Sequence, residues 1–281
     1  MPKSFKKPLV LIAAWFPLLA FLTPARATDQ PVVLATTSMI GSMLELVAGE
    51  AVEARVLIPP RSCPGHFDIR PQDAAGIASA GLVIRHDFQA YLDDKLTAQN
   101  PRLVIEVLVP EGHLMIPSVY LGALEKIAGI LSRRYPQSEA AFRRNLEAAA
   151  ARIGLAEPAA REKIRQAALA GTVVLGSDMQ EPFLRWAGIE VAASFSNSSD
   201  ELSVRSLARL IGIAGSEKAS FIAGNLQSGG EEVALALARQ TGLPAAILSN
   251  FPGTNDRNPT YIDLLLDNID LLARAKSGDL P

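Results

Sequence analysis

The chain has 281 residues, 49% of them hydrophobic and 20% charged, with a formal net charge of −2. A balance this close to neutral gives no electrostatic footprint for nucleic acid, and none is expected as a partner. The single cysteine, Cys63, excludes an intrachain disulfide and leaves a free thiol, an intermolecular partner or a metal ligand.

Lys3, Lys6 and Lys7 make a basic start, and residues 8–22 form an apolar stretch too short for a stable membrane span. Ala25-Arg26-Ala27 follows as a small-x-small cleavage site, so residues 1–27 read as a signal peptide and the mature chain is expected to begin at Thr28. No cysteine sits at that junction to carry a lipid anchor. The expected location is the periplasm.

From there, short apolar runs alternate with helical patterns. Candidate strands cover residues 32–36, 55–58, 82–85 and 103–107, then 172–176, 191–195, 220–223 and 245–248. Candidate helices between them cover 38–48, 72–79, 202–213 and 231–241, the last stopped by Gly242 with Pro244 beyond. Runs of this length separated by helices argue for parallel sheets built from βα units. Residues 138–170 differ. They are rich in Ala, Arg and Glu, with Phe142, Leu146 and Ile153 near helical spacing, Ser138 as a possible cap and Pro158 as an expected kink. The predicted architecture is α/β: an N-terminal lobe over 28–137 and a C-terminal lobe over 171–281, each with a parallel four-stranded sheet flanked by helices. A long connector helix at 138–170 joins them.

In open parallel sheets, ligands bind beyond the carboxyl ends of the strands. The residues there are Thr37-Ser38, the loop 63–68, His86-Asp87 and the region up to Ser118 in the first lobe. In the second they are Ser177-Asp178, Ser196-Asn197, Asn225 and Asn250. Ser118, Ser177, Asn197, Asn225 and Asn250 are the candidate polar lining of an interlobe cleft, although such residues also serve as ordinary turn and cap formers. His113 is read as exposed loop, and Trp186 and Tyr261 as core. Cys63 and His66 stand three residues apart in a Pro/Gly loop, and a thiolate and an imidazole can share a soft or borderline metal.

Several stretches resemble the zinc- and manganese-binding solute-binding proteins of ABC importers, including the streptococcal adhesin-type lipoproteins. Val33-Leu34-Ala35-Thr36-Thr37-Ser38-Met39-Ile40 is similar to that family's first strand and helix start. Val56-Leu57-Ile58-Pro59-Pro60, then His66 and Pro71-Gln72-Asp73-Ala74, resemble its first metal loop. Pro117-Ser118-Val119-Tyr120 stands at its Pro-His-Val-Trp motif, and Ser177-Asp178, with Phe183 and Gly188, at its Ser-His-Asp motif. Tyr261-Ile262-Asp263 and Asn268 resemble its last helix.

The resemblance implies three histidines and an acidic residue as ligands. Only the first is retained, as His66; the others fall on Ser118, Ser177 and Asn250. Serine and asparagine are poor zinc ligands. The chain also carries Cys63, His86 and Asp178, from which a rebuilt site of His66, Cys63, His86 and Asp178 is expected, holding a transition metal with zinc first in order. The implied function is the periplasmic solute-binding component of an ABC importer, a monomer that delivers metal to an inner-membrane permease. The alternative is the same fold holding an organic or chelated ligand. An enzymatic reading, with Cys63 and a histidine as nucleophile and base, finds no nucleophile elbow and no zinc-protease signature, so no enzyme is expected.

Overall fold

The computed structural model describes residues 30–196 and 203–280. The expected signal peptide and Asn197 lie outside the described residues.

The first half contains β1 (Val32–Ala35), α1 (Ser38–Ala48), β2 (Glu53–Val56), α2 (Ala74–Ser79), β3 (Leu82–His86), α3 (Asp93–Gln99), β4 (Val104–Leu108) and α4 (Pro117–Arg134). Helix α5 (Glu139–Gln166) follows. The second half contains β5 (Val173–Ser177), α6 (Glu181–Trp186), β6 (Glu190–Phe195), α7 (Val204–Ser216), β7 (Phe221–Asn225), α8 (Gly230–Thr241), β8 (Ala245–Leu248) and α9 (Tyr261–Ser277). The sheets are parallel, ordered β2-β1-β3-β4 and β6-β5-β7-β8. Both orders reverse direction beside their first strand, between β1 and β3 and between β5 and β7. Loops leaving these neighbours diverge and open a crevice at the carboxyl edge.

Alternation along β1 shows why the sheet is covered on both faces. Val33 and Ala35 enter a cluster with Met39, Met43, Leu44, Tyr120 and Ile127, whereas Leu34 packs oppositely with Leu57, Ile77, Val83 and Leu96. Helix α1 forms because Met39, Ile40, Met43, Leu44 and Val47 recur on one face and are fully buried. Thr37 caps it by accepting from the Ile40 N–H at 3.4 Å. Each of these side chains contributes about 1.5–3 kcal/mol by leaving water.

The larger core runs through both halves. It includes Val33 and Tyr120 from the first, Phe142 from α5, and Phe183, Phe221 and Tyr261 from the second. Tyr120 and Tyr261 stack with ring centroids 3.6 Å apart, and the Tyr261 hydroxyl donates to the Met115 carbonyl at 3.3 Å. A continuous apolar interface of this kind restrains relative motion of the two lobes.

Three local features differ from the sequence reading. Pro158 does not split α5, which runs unbroken from Glu139 to Gln166. The carbonyl deprived of its donor is that of Gly154, on the exposed face and without a side chain to crowd the ring. Ser138 occupies the N-cap position without a side-chain cap bond. The 18-residue α4 was not anticipated, although Pro117 at its first turn and the buried spacing Tyr120, Leu124, Ile127, Leu131 mark it. The stop at Gly242 holds, with φ of 73° in the left-handed region.

Candidate ligand site between the lobes

A cavity of about 930 Å³ lies where the carboxyl edges of the two sheets face each other. Its first wall is the loop after β2. Pro59 and Pro60 turn the chain there, and the Ser62 N–H closes the turn on the Pro59 carbonyl at 2.9 Å. Cys63 Sγ lies 3.4 Å from His66 Nδ1. A second network fixes that loop. The Tyr91 hydroxyl accepts from the Phe67 N–H and donates to the Pro64 carbonyl, both at 2.9 Å, and Gln89 Nε2 donates to the same carbonyl at 3.1 Å. Gln89 is fully buried, its Oε1 accepting from Thr36 Oγ1 at 2.6 Å and the His86 N–H at 3.0 Å.

The thiol reaches across the cleft to Ser228, with Sγ and Oγ 3.1 Å apart. Partial burial by itself raises the thiol's pKa. Hydrogen bonds with Ser228, His66 and the Gly65 backbone, together with the electrostatic influence of the His66 ring, outweigh it and hold the pKa below the usual value. The loop therefore eases loss of the thiol proton, which yields the form that ligates metal.

His86 ends β3 at 4% exposure, stacked on Phe88, with Nε2 2.9 Å from Thr37 Oγ1. Burial pushes its pKa down to about 4, against the opposing charge of Asp87. It is a neutral imidazole engaged by the residue that caps α1. Asp178 is exposed, and its Oδ1 accepts from the Met179 N–H at 2.7 Å, so it closes a turn. Ser177 is buried at the end of β5, and its Oγ accepts from the same N–H at 3.2 Å. Of the expected set His66, Cys63, His86 and Asp178, all line the cavity but only the first two meet. Among the described residues, no three His, Cys, Asp or Glu side chains gather closely enough to hold a metal ion.

The second wall is built of amides. Gln180 Nε2 donates to Asn225 Oδ1 at 2.8 Å and Asn250 Oδ1 at 2.9 Å, and Asn250 Nδ2 donates to Asn225 Oδ1 at 3.1 Å. Gln227 Nε2 bridges the lobes, donating to the Pro60 carbonyl at 2.9 Å and Ser249 Oγ at 3.0 Å. Gln180 Oε1 is buried without a hydrogen-bond partner among the described residues. Asn225 and Asn250 thus stand in the cleft as expected from their strand ends.

Ser118 does not. It is exposed on the first turn of α4 and lines a separate groove with Glu106 and Lys126. The cleft position in that stretch belongs to His113, which the sequence reading left on the surface. Its ring is largely desolvated, and burial pushes its pKa down to about 4 against the opposing influence of the nearby Met179 backbone and Asn250 side chain. Nδ1 accepts from the Met115 N–H at 3.4 Å. The available signal was topological: His113 lies in the loop directly after β4, at the carboxyl edge.

The 3.4 Å between sulfur and nitrogen is close to the roughly 3.6 Å separating a thiolate and an imidazole on one tetrahedral zinc ion. Chemically, the cleft offers one such pair, a polar but uncharged amide wall, the charged residues Arg61, Asp87 and Asp178, and apolar surface from Leu114, Leu226, Phe251 and Phe88.

The family model described as zinc-uptake complex component A, periplasmic (ZnuA) matches residues 33–275. Among solved structures, the manganese-bound periplasmic metal-binding protein of Candidatus Liberibacter asiaticus is similar at 17% identity. The alignment covers 86% of this chain and 98% of that one, with a TM-score of 0.72. A zinc-bound ZnuA deletion mutant shares 17% identity over 88% of this chain and 98% of its own, also at 0.72. The cadmium-bound form of the Liberibacter protein gives 17%, 86%, 98% and 0.72. At these identities the likeness is one of fold. No curated protein matches the sequence.

Proposed function

The chain belongs to the family of the periplasmic zinc-uptake complex component A, and on that premise we propose that it is the solute-binding component of an ABC importer. It captures a transition metal, zinc first in order, in the interlobe cleft and hands it to an inner-membrane permease. The proposed organisation is a signal peptide at 1–27, lobes at 28–137 and 171–281 and a connector at 138–170. The protein works as a periplasmic monomer without nucleic acid, and as a binder, not a catalyst.

The observation that carries this reading is the Cys63–His66 pair, a soft and a borderline donor at ligand spacing in a loop pinned by Tyr91 and Gln89. His86 and Asp178 line the same cavity but are engaged elsewhere, by Thr37 and by the Met179 N–H, while Asn225 and Asn250 shape its far wall and Ser177 is buried behind it.

The test is the metal content of mature protein, residues 28–281, isolated from a periplasm without chelator, beside Cys63→Ala and His66→Ala. Near-stoichiometric metal that both substitutions abolish supports the reading. A protein that stays empty, and takes up neither zinc, copper nor manganese afterwards, overturns it.

A further inference from the structure

Resting on the proposed metal capture at Cys63 and His66, we infer that the cargo is a metal chelate: an ion that arrives with an organic ligand filling the coordination positions the protein leaves open. Zinc in a closed protein site takes four ligands. The cleft brings two together, and no third His, Cys, Asp or Glu of the described residues joins them. The other histidines are engaged, His86 with Thr37 and His113 with the Met115 N–H. Among the described residues an ion held here finds two donors, and the remaining ones come from what it carries.

The space has the size for such a companion. About 930 Å³ lies in the range of organic-ligand sites, whereas each water on an ion occupies about 30 Å³. The walls select its chemistry. Phe88, 55% exposed, stands with Leu114, Leu226 and Phe251 around the cavity, and Asn225 and Asn250 present neutral amide dipoles. Arg61, Asp87 and Asp178 line the same cavity, and its apolar part suits the ring of a small heteroaromatic chelator with one or two polar oxygens. The charges balance as well. Cys63 loses its proton to solvent as the metal binds, and the thiolate cancels one positive charge of the incoming complex.

Zinc picolinate is a suitable probe, because one picolinate supplies a pyridine nitrogen and a carboxylate oxygen and leaves two positions free. The mature protein is titrated with zinc chloride, with one-to-one zinc picolinate, with picolinate alone and with zinc saturated by EDTA. Binding is followed by calorimetry, and native mass spectrometry reads the composition of the complex. The expected result is a ternary complex of protein, zinc and picolinate, at least about tenfold tighter than zinc alone. It releases a proton and is abolished by Cys63→Ser or by alkylation of the wild-type thiol. EDTA-saturated zinc does not bind.

Zinc alone binding as tightly, with no ternary mass, overturns the chelate inference and leaves metal capture standing. Picolinate alone or EDTA-saturated zinc binding as tightly as the zinc picolinate complex overturns it too, because open positions on the metal are then not what the site reads. If neither zinc nor its picolinate complex binds, metal capture fails together with it.

Discussion

Cys63 Sγ and Ser228 Oγ, 165 positions apart in the chain, lie 3.1 Å from each other across the mouth of the cleft. One belongs to the loop after β2 and the other to the loop after β7. The contact joins the lobes at the group best suited to ligate cargo, and it helps hold the thiol's pKa down against partial burial. Ser228→Ala is therefore expected to raise that pKa, and His66→Ala to do the same. The pH dependence of iodoacetamide alkylation reads it directly. An unchanged midpoint in both variants means these hydrogen bonds do not govern the thiol.

Tyr91 bridges the backbone on either side of Gly65 and His66 with one hydroxyl. Tyr91→Phe leaves the Pro64 carbonyl with Gln89 but strands the Phe67 N–H, at a cost of about 1 kcal/mol in stability. The larger effect is expected on zinc affinity, about tenfold weaker, because the loop then holds Cys63 and His66 less well. Calorimetry with zinc chloride and zinc picolinate, beside a thermal melt, separates the two. Full affinity in the variant rules out a positioning role for Tyr91.

His86 and His113 both resist protonation, with pKa values about 4 against an unperturbed 6.5. In the unfolded chain they take up protons as pH falls below 6.5, while the folded protein does not. The stability this represents is complete above 6.5 and is lost progressively down to about 4. For His86 the loss is about 2–4 kcal/mol, and for His113, which keeps some exposure, it is smaller. Urea unfolding at about pH 7.5 and about pH 5 should show it, with a shallower slope in His86→Asn. Equal midpoints at the two pH values would falsify the account.

Gly224 sits in β7 with α8 directly against it. A Cβ there would lie 2.4 Å from that of Ala234 and 3.0 Å from Ile247 Cδ1, both within the packed second lobe. Gly224→Ala is expected to cost about 1–3 kcal/mol by forcing strand and helix apart. A melting temperature equal to wild type means that α8 shifts without penalty.

Much of this molecule is determined locally. The alternation of Val33, Leu34 and Ala35 between two cores, the stop at Gly242 and the cap at Thr37 depend on residues within a turn or two of one another. For that reason the sequence alone sufficed for the parallel sheets, the long helix between the lobes and the family. The carboxyl-edge rule then brought the Cys63–His66 loop, Asn225 and Asn250 to one cleft, while Ser177, expected there too, is buried at the end of β5 and does not line it. The direction of each side chain is a different matter, because distant packing sets it. His113 faces the cleft and Ser118 an outer groove, since α4 begins at Pro117 and turns away between them. His86 is taken by Thr37, the cap of α1, and Asp178 by its own turn. Cys63 meets Ser228 only once two sheets have closed on a common core. Composition and spacing named the donors, but only tertiary packing decided which lone pairs remain available to a ligand, because a buried polar group takes whatever partner the fold places beside it.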